Sequence, residues 1–202
     1  MEKHLLLQRE AARRQTALRI LKELQLLERW QVYGKPYLVG AVSYGLVVAP
    51  DIDLEVYCPD TPRIDEGFAV MAACAGHPGI RQVKFSNRLQ DEDQGLYWQL
   101  RYLNEDGMEW KVDMWSMGYD YPGPASRDMV EPMQRCLTVD TRAAILEIKE
   151  QLLAQPDPAA SAQRRPSGHG QEFARRLFRH AGFVLPETRR PAGHGVHPAL
   201  PL

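Results

Sequence analysis

Hydrophobic and polar residues alternate in two separate stretches of the chain. In DIDLEVYC, residues 51 to 58, Ile52, Leu54, Val56 and Cys58 take one parity and Asp51, Asp53, Glu55 and Tyr57 the other. That period of two describes a strand with one face in a core. GMEWKVDMWSM, residues 107 to 117, repeats the pattern, with Met108, Trp110, Val112 and Met114 opposite Glu109, Lys111, Asp113 and Trp115. GLYWQLRYLNEDG, residues 95 to 107, reads as its hairpin partner, because Asp106-Gly107 is a strong turn dipeptide between two strand-like runs. A turn centred there predicts that Trp98, Leu100 and Tyr102 share the face of Asp113. IRQVKFSN, residues 80 to 87, is a further strand, in which Arg81 and Lys84 are surface cations within reach of a phosphate role.

A helical period replaces the alternation elsewhere. Residues 4 to 30 carry apolar side chains at helical spacing and predict one long helix packed on the sheet. TPRIDEGFAVMAACAG, 61 to 76, predicts a crossing helix, and DTRAAILEIKEQLLA, 140 to 154, another with Asp140 as its cap. Between Tyr37 and Pro50, a short strand ends at Gly40 and SYGLVVA forms about one turn of helix capped by Ser43. GYDYPGPASRD, 118 to 128, is a turn-rich loop. The order predicts an α+β fold with a mixed, mainly antiparallel sheet and flanking helices. Residues 1–117 form the core with its amino-terminal helix, 118–156 a loop and packing helix, and 157–202 a Pro-, Ala- and Ser-rich linker, a short helix and a basic tail. His169, His180, His194 and His197 fall in that tail, at no compact metal spacing.

The aspartates raise the chemical question. Burying an unpaired carboxylate is expensive, yet Asp51 and Asp53 interrupt an apolar run and point the same way. Side chains two apart in a strand sit roughly 6 to 7 Å from each other, close enough to share a divalent ion. A solvated edge strand would also carry them. Asp113, alone in the middle of a second patterned strand, adds a third carboxylate. Like charges raise one another's pKa values, so the cluster needs a cation; Lys111 is close in sequence, and Mg2+ suits carboxylates, water and phosphates together better than lysine does. A glycine corner followed by a helical turn suits phosphate oxygens, with Gly40 allowing close approach and Ser43 offering a hydroxyl.

These residues resemble the nucleotidyltransferase superfamily, which includes DNA polymerase beta, poly(A) polymerases and antibiotic nucleotidyltransferases. Its motif is a hydrophobic residue, Gly, then Gly or Ser, a short spacer, and Asp, hydrophobic, Asp or Glu, hydrophobic. Val39-Gly40-Ala41 stands for the first part, and Asp51-Ile52-Asp53-Leu54 matches the second. Ala41 departs from the pattern, and Ser43 is near enough to substitute. The resemblance implies that Asp51 and Asp53 bind Mg2+ holding ATP or a related triphosphate, that Asp113 completes the metal site and serves as or assists the general base, and that Lys149 reaches the triphosphate. It implies transfer of a nucleoside monophosphate to a hydroxyl of a small molecule or protein. Glu55 shares the face of Asp51 and Asp53 and reads either as a solvated edge residue or as one that orients the acceptor. The alternatives are a non-catalytic module of this fold, with Ala41 as its symptom, and a metal-dependent phosphoesterase.

Composition narrows the partners. A formal net charge of -1 over 202 residues speaks against a long nucleic acid, which calls for a basic surface. No run is apolar enough to span a membrane, the charged amino terminus predicts no secretory leader, and Cys58, Cys74 and Cys136 read as free thiols of a cytoplasmic protein.

Overall fold

The alternating segments assemble into one sheet. The structure is a computed structural model that describes residues 2–154; the linker, short helix, basic tail and four histidines expected beyond Gln155 lie outside the described residues. Its elements are α1 (Glu2–Glu23), α2 (Leu26–Gln31), β1 (Lys35–Val39), α3 (Gly40–Tyr44), β2 (Asp51–Cys58), α4 (Ile64–Ala75), β3 (Ile80–Arg88), β4 (Gly95–Leu103), β5 (Glu109–Gly118), α5 (Arg127–Cys136) and α6 (Val139–Ala154). The five strands run in the order β1-β2-β5-β4-β3. All neighbours are antiparallel except β2 and β5, which run parallel at the centre. The fold is therefore α+β with a mixed, mainly antiparallel sheet, as the pattern predicts.

One face of the sheet is the core. Ile52, Leu54 and Val56 of β2, Trp110, Val112 and Met114 of β5, and Leu96, Trp98 and Leu100 of β4 pack with Ala17, Ile20, Leu21, Leu24, Leu26 and Trp30 of the amino-terminal helical region and with Val70, Met71 and Cys74 of α4. Two of its three buried indoles find partners, Trp30 Nε1 lying 3.3 Å from Met114 Sδ and Trp98 Nε1 donating to Ser116 Oγ at 3.1 Å, while Trp110 Nε1 is buried without one. A smaller cluster of Leu6, Leu46, Met133, Ile145 and Leu146 joins α1, α5 and α6 to the segment after α3.

Four expectations are corrected. The long amino-terminal helix is two helices, because Gln25 adopts a left-handed conformation at φ 50° and the Arg29 side chain donates to the freed Leu24 carbonyl at 2.9 Å. The hairpin turns on three residues rather than two. Asn104 pairs with Met108 through both backbone and side chain, and Gly107 takes the left-handed position at φ 75°. This register sets Trp98 opposite Met114 and Gln99 opposite Asp113, so Trp98, Leu100 and Tyr102 belong to the core face and not to the face of Asp113. Ser43 is not a helix cap: α3 starts at Gly40, and the Ser43 hydroxyl donates back to the Gly40 carbonyl at 2.8 Å. Asp140 is not the cap of the last helix, which begins at Val139; Thr138 fills that role, exchanging hydrogen bonds with Thr141, while Asp140 pairs with Lys3.

Candidate metal and nucleotide site

The face of the sheet opposite the core carries the candidate residues, brought together by register. Parallel pairing sets Asp53 directly across from Asp113 and Asp51 across from Lys111. One carboxylate oxygen from each of Asp51, Asp53 and Asp113 falls within 4.8 Å of the others. The solvated-edge account of Asp51 and Asp53 fails here, since β2 is an interior strand and both its neighbours are paired.

Each carboxylate has a different setting. Asp113 is buried, and its Oδ1 accepts from the Tyr97 hydroxyl at 2.8 Å and from Gln99 Nε2 at 2.9 Å. Its Oδ2 lies 2.7 Å from Lys111 Nζ. The same ammonium reaches Asp51 Oδ2 at 3.1 Å, while Asp51 Oδ1 is buried without a hydrogen-bond partner. Asp53 takes part in neither ion pair. Burial, then the charges of Asp51 and Asp113, push its carboxyl up to about 8. Burial likewise raises Asp51, against the attraction of Lys111. Lys111 is itself raised: burial opposes its charge, and Asp51 and Asp113 together outweigh that effect.

The glycine corner stands over Asp53. Gly40 has φ +66°, and a Cβ at that position would meet Asp53 Oδ2, so both the backbone conformation and the contact require glycine. Behind the corner, side chains from three helices hold the carbonyls around α3. Arg14 Nε donates to Val42 at 2.8 Å, Gln134 Nε2 to Ser43 at 3.0 Å, Arg142 to Gly45 at 2.9 Å and Lys149 Nζ to Leu46 at 2.7 Å. Lys149 is thus brought to the site's edge, where burial lowers its pKa and the charges of Asp53 and Asp51 act in the opposite sense. Arg142 also pairs at 3.0 Å with Glu10, which is 2% exposed.

Glu55 is buried and engaged by the protein's own donors. Its carboxylate accepts from the backbone N–H groups of Ser126 and Arg127 at 3.0 Å and from the Tyr57 hydroxyl at 2.9 Å, so it anchors the start of α5. Arg127 lies 3.4 Å from the Tyr57 ring centroid and covers this part of the face. Lys84 stands across from Gln99 and over Tyr97, while Arg81 is exposed at the β-bulge that opens β3. Tyr97 and Gln99 are the site residues the sequence did not disclose; the hairpin register that reveals them turns on a one-residue choice.

The donor set is chemically suited to a hard divalent cation. Three carboxylates converge, one of their oxygens is buried and unpartnered, and a glycine leaves the approach to Asp53 clear. No helix among the described residues is long and apolar enough to cross a membrane.

No family model matches the chain, and no curated protein sequence matches it. Among solved structures, it is similar to a cytoplasmic RNA terminal U-transferase, at 16% identity over 67% of this chain and 38% of that one, with a TM-score of 0.47. It is also similar to the small alarmone synthetase 1 of Bacillus subtilis, solved with its product pppGpp, at 11% identity over 69% of this chain and 91% of that one, with a TM-score of 0.32. Both are partial superpositions at low identity.

Proposed function

We propose that this protein is a metal-dependent nucleotidyltransferase, moving a nucleoside monophosphate from ATP or a related triphosphate to a hydroxyl of a small molecule or protein side chain and releasing pyrophosphate. The observation that carries the reading is the convergence of Asp51, Asp53 and Asp113 beside Gly40, in the order and spacing of the motif the sequence presents. Asp51, Asp53 and Asp113 would hold Mg2+, which when bound supplies positive charge to the triphosphate and to the charge that develops during transfer. Gly40 gives a phosphate access to the backbone at the corner, and Ser43 steadies that corner through the Gly40 carbonyl. Lys149 supplies positive potential beside Asp53 and Asp51, with the triphosphate as its further partner. Asp113 accepts or orients the proton of the attacking hydroxyl, its carboxylate fixed by Tyr97 and Gln99.

In this reading residues 1–117 are the catalytic core, and the part of 118–156 described here braces it through α5 and α6. The near-neutral charge fits a small or protein acceptor better than a long nucleic acid. Cys58, Cys74 and Cys136 are free thiols, which suits the cytoplasm.

The test is a panel of hydroxyl acceptors incubated with Mg2+ and ATP, read by mass spectrometry of products. The expected result is a nucleotidylated acceptor with stoichiometric pyrophosphate, abolished by EDTA. Free nucleotide or phosphate with no modified acceptor would instead assign water as the acceptor. Absence of Mg2+-dependent triphosphate binding by calorimetry would overturn the reading.

A further inference from the structure

Lys111 occupies an unexpected position. Its ammonium lies between Asp51 Oδ2 and Asp113 Oδ2, at 3.1 and 2.7 Å. Two-metal transfer sites place a second divalent ion between carboxylates in a comparable way, about 3.5 to 4 Å from the first. The lysine is not a stray surface residue swung inward. Its Cα is the register partner of Asp51 across the parallel pair, and it shares a strand and a face with Asp113, so the backbone itself delivers the side chain to this point. Both carboxylates and the lysine are partly withdrawn from water, with side-chain exposures of 37%, 12% and 30% for Asp51, Asp113 and Lys111. The lysine does not pair with the remaining ligand atoms. Asp53 contributes to neither ion pair, and Asp51 Oδ1 is buried with no donor.

The charges agree with this division. Three carboxylates and one ammonium sum to the charge that a single divalent ion neutralises. A second divalent ion between Asp51 and Asp113 would have to displace the ammonium or sit against it, and like charges at such a distance repel strongly where burial limits screening.

Resting on the nucleotidyltransferase reading, we infer that Lys111 is a permanent cation of this site, standing in place of one of the two metal ions, so that the three-carboxylate site proposed above narrows to one divalent ion held by Asp53 and the free oxygen of Asp51, with Asp113 paired to Lys111 instead. Lys111 then acts as a positioning residue for Asp113, fixing the orientation of the carboxylate that faces the acceptor without contacting the triphosphate.

The probe is Mn2+ titrated into the full chain with an equimolar amount of α,β-methylene-ATP, read by electron paramagnetic resonance. The signal reports both the number of bound ions and whether two of them are spin-coupled, and neither depends on turnover. The wild-type protein is expected to retain one Mn2+ per chain with an uncoupled spectrum. Lys111→Met keeps the bulk of the side chain and removes its charge, and is expected to retain two with the broadening of a coupled pair; Lys111→Gln, a second variant whose folding is checked by circular dichroism, is expected to do the same. A coupled pair in the wild type would overturn the inference while leaving the nucleotidyltransferase reading intact, and so would a single ion in both folded variants. No Mn2+-nucleotide on the wild-type protein would overturn both.

Discussion

Asp113 illustrates how a single carboxylate is given a task by its neighbours. Tyr97 and Gln99 donate to one oxygen and Lys111 to the other, so its plane is fixed before any ligand arrives. Asp113→Asn keeps an acceptor for Tyr97 and Gln99 but turns an amide N–H toward the lysine. This variant is expected to fold, to bind Mg2+-ATP within about tenfold of the original, and to lose on the order of 10²-fold in turnover, checked by calorimetry and product chromatography. Asp53 makes a separate prediction. Its folded pKa of about 8 lies above the roughly 4 of an unfolded aspartate. Between those values the folded state holds more protons, so its stability falls as pH rises through that window. In EDTA the wild-type melting temperature should therefore drop between about pH 4 and about pH 8 from this group, and Asp53→Asn should flatten that slope and melt higher at the alkaline end. The three aspartates and Gly40 were legible in sequence because burying charge demands a reason and a motif supplies one. Tyr97 and Gln99 were not, since an aromatic and an amide on a strand have many uses and only register tells which face they take.

At the scale of the element, the strands were read well and the breaks between elements poorly. Period-two alternation located β2 to the residue and β5 to within two residues, because apolar side chains on one parity of each strand face the core. The interruption at Gln25 left no mark in the pattern: apolar spacing continues across it, and the carbonyl it frees is satisfied by Arg29 from the next helix. Helix α5 was also missed. It contains Pro132 and few apolar residues, and its start is fixed from a distance by Glu55, so little in its own sequence specifies it. The short α3 shows the same dependence on remote groups, with Arg142 held between the Gly45 carbonyl and the nearly inaccessible Glu10. Arg142→Met would strand a buried carboxylate, and the expected loss is about 3 kcal/mol in urea denaturation. Adding Glu10→Gln to that variant should recover much of the loss, whereas failure to do so would mean that the Gly45 contact matters more than the charge.

For the whole molecule, ligand and fold are thermodynamically linked. A complex that binds only the folded chain raises its stability by about 2.7 kcal/mol when present at a hundred times its dissociation constant. Mg2+ with ATP should therefore raise the melting temperature of the wild-type protein, ATP with EDTA should not, and Asp53→Asn should lose the effect, all measurable by scanning calorimetry. The central parallel pair has a further consequence, for the order in which the protein is made. Strands β2 and β5 are neighbours in space, but α4, β3 and β4 lie between them in sequence. While a ribosome is still extending the chain toward Glu109, β2 has only β1 beside it, and Asp51 and Asp53 lack both the third carboxylate and the lysine. Pairing across such a separation is entropically slow. The strand that closes the middle of the sheet is the strand that completes the site, so an incomplete nascent chain cannot assemble the reactive centre, and the same delay exposes one bare edge of β2 to its neighbours on a crowded polysome.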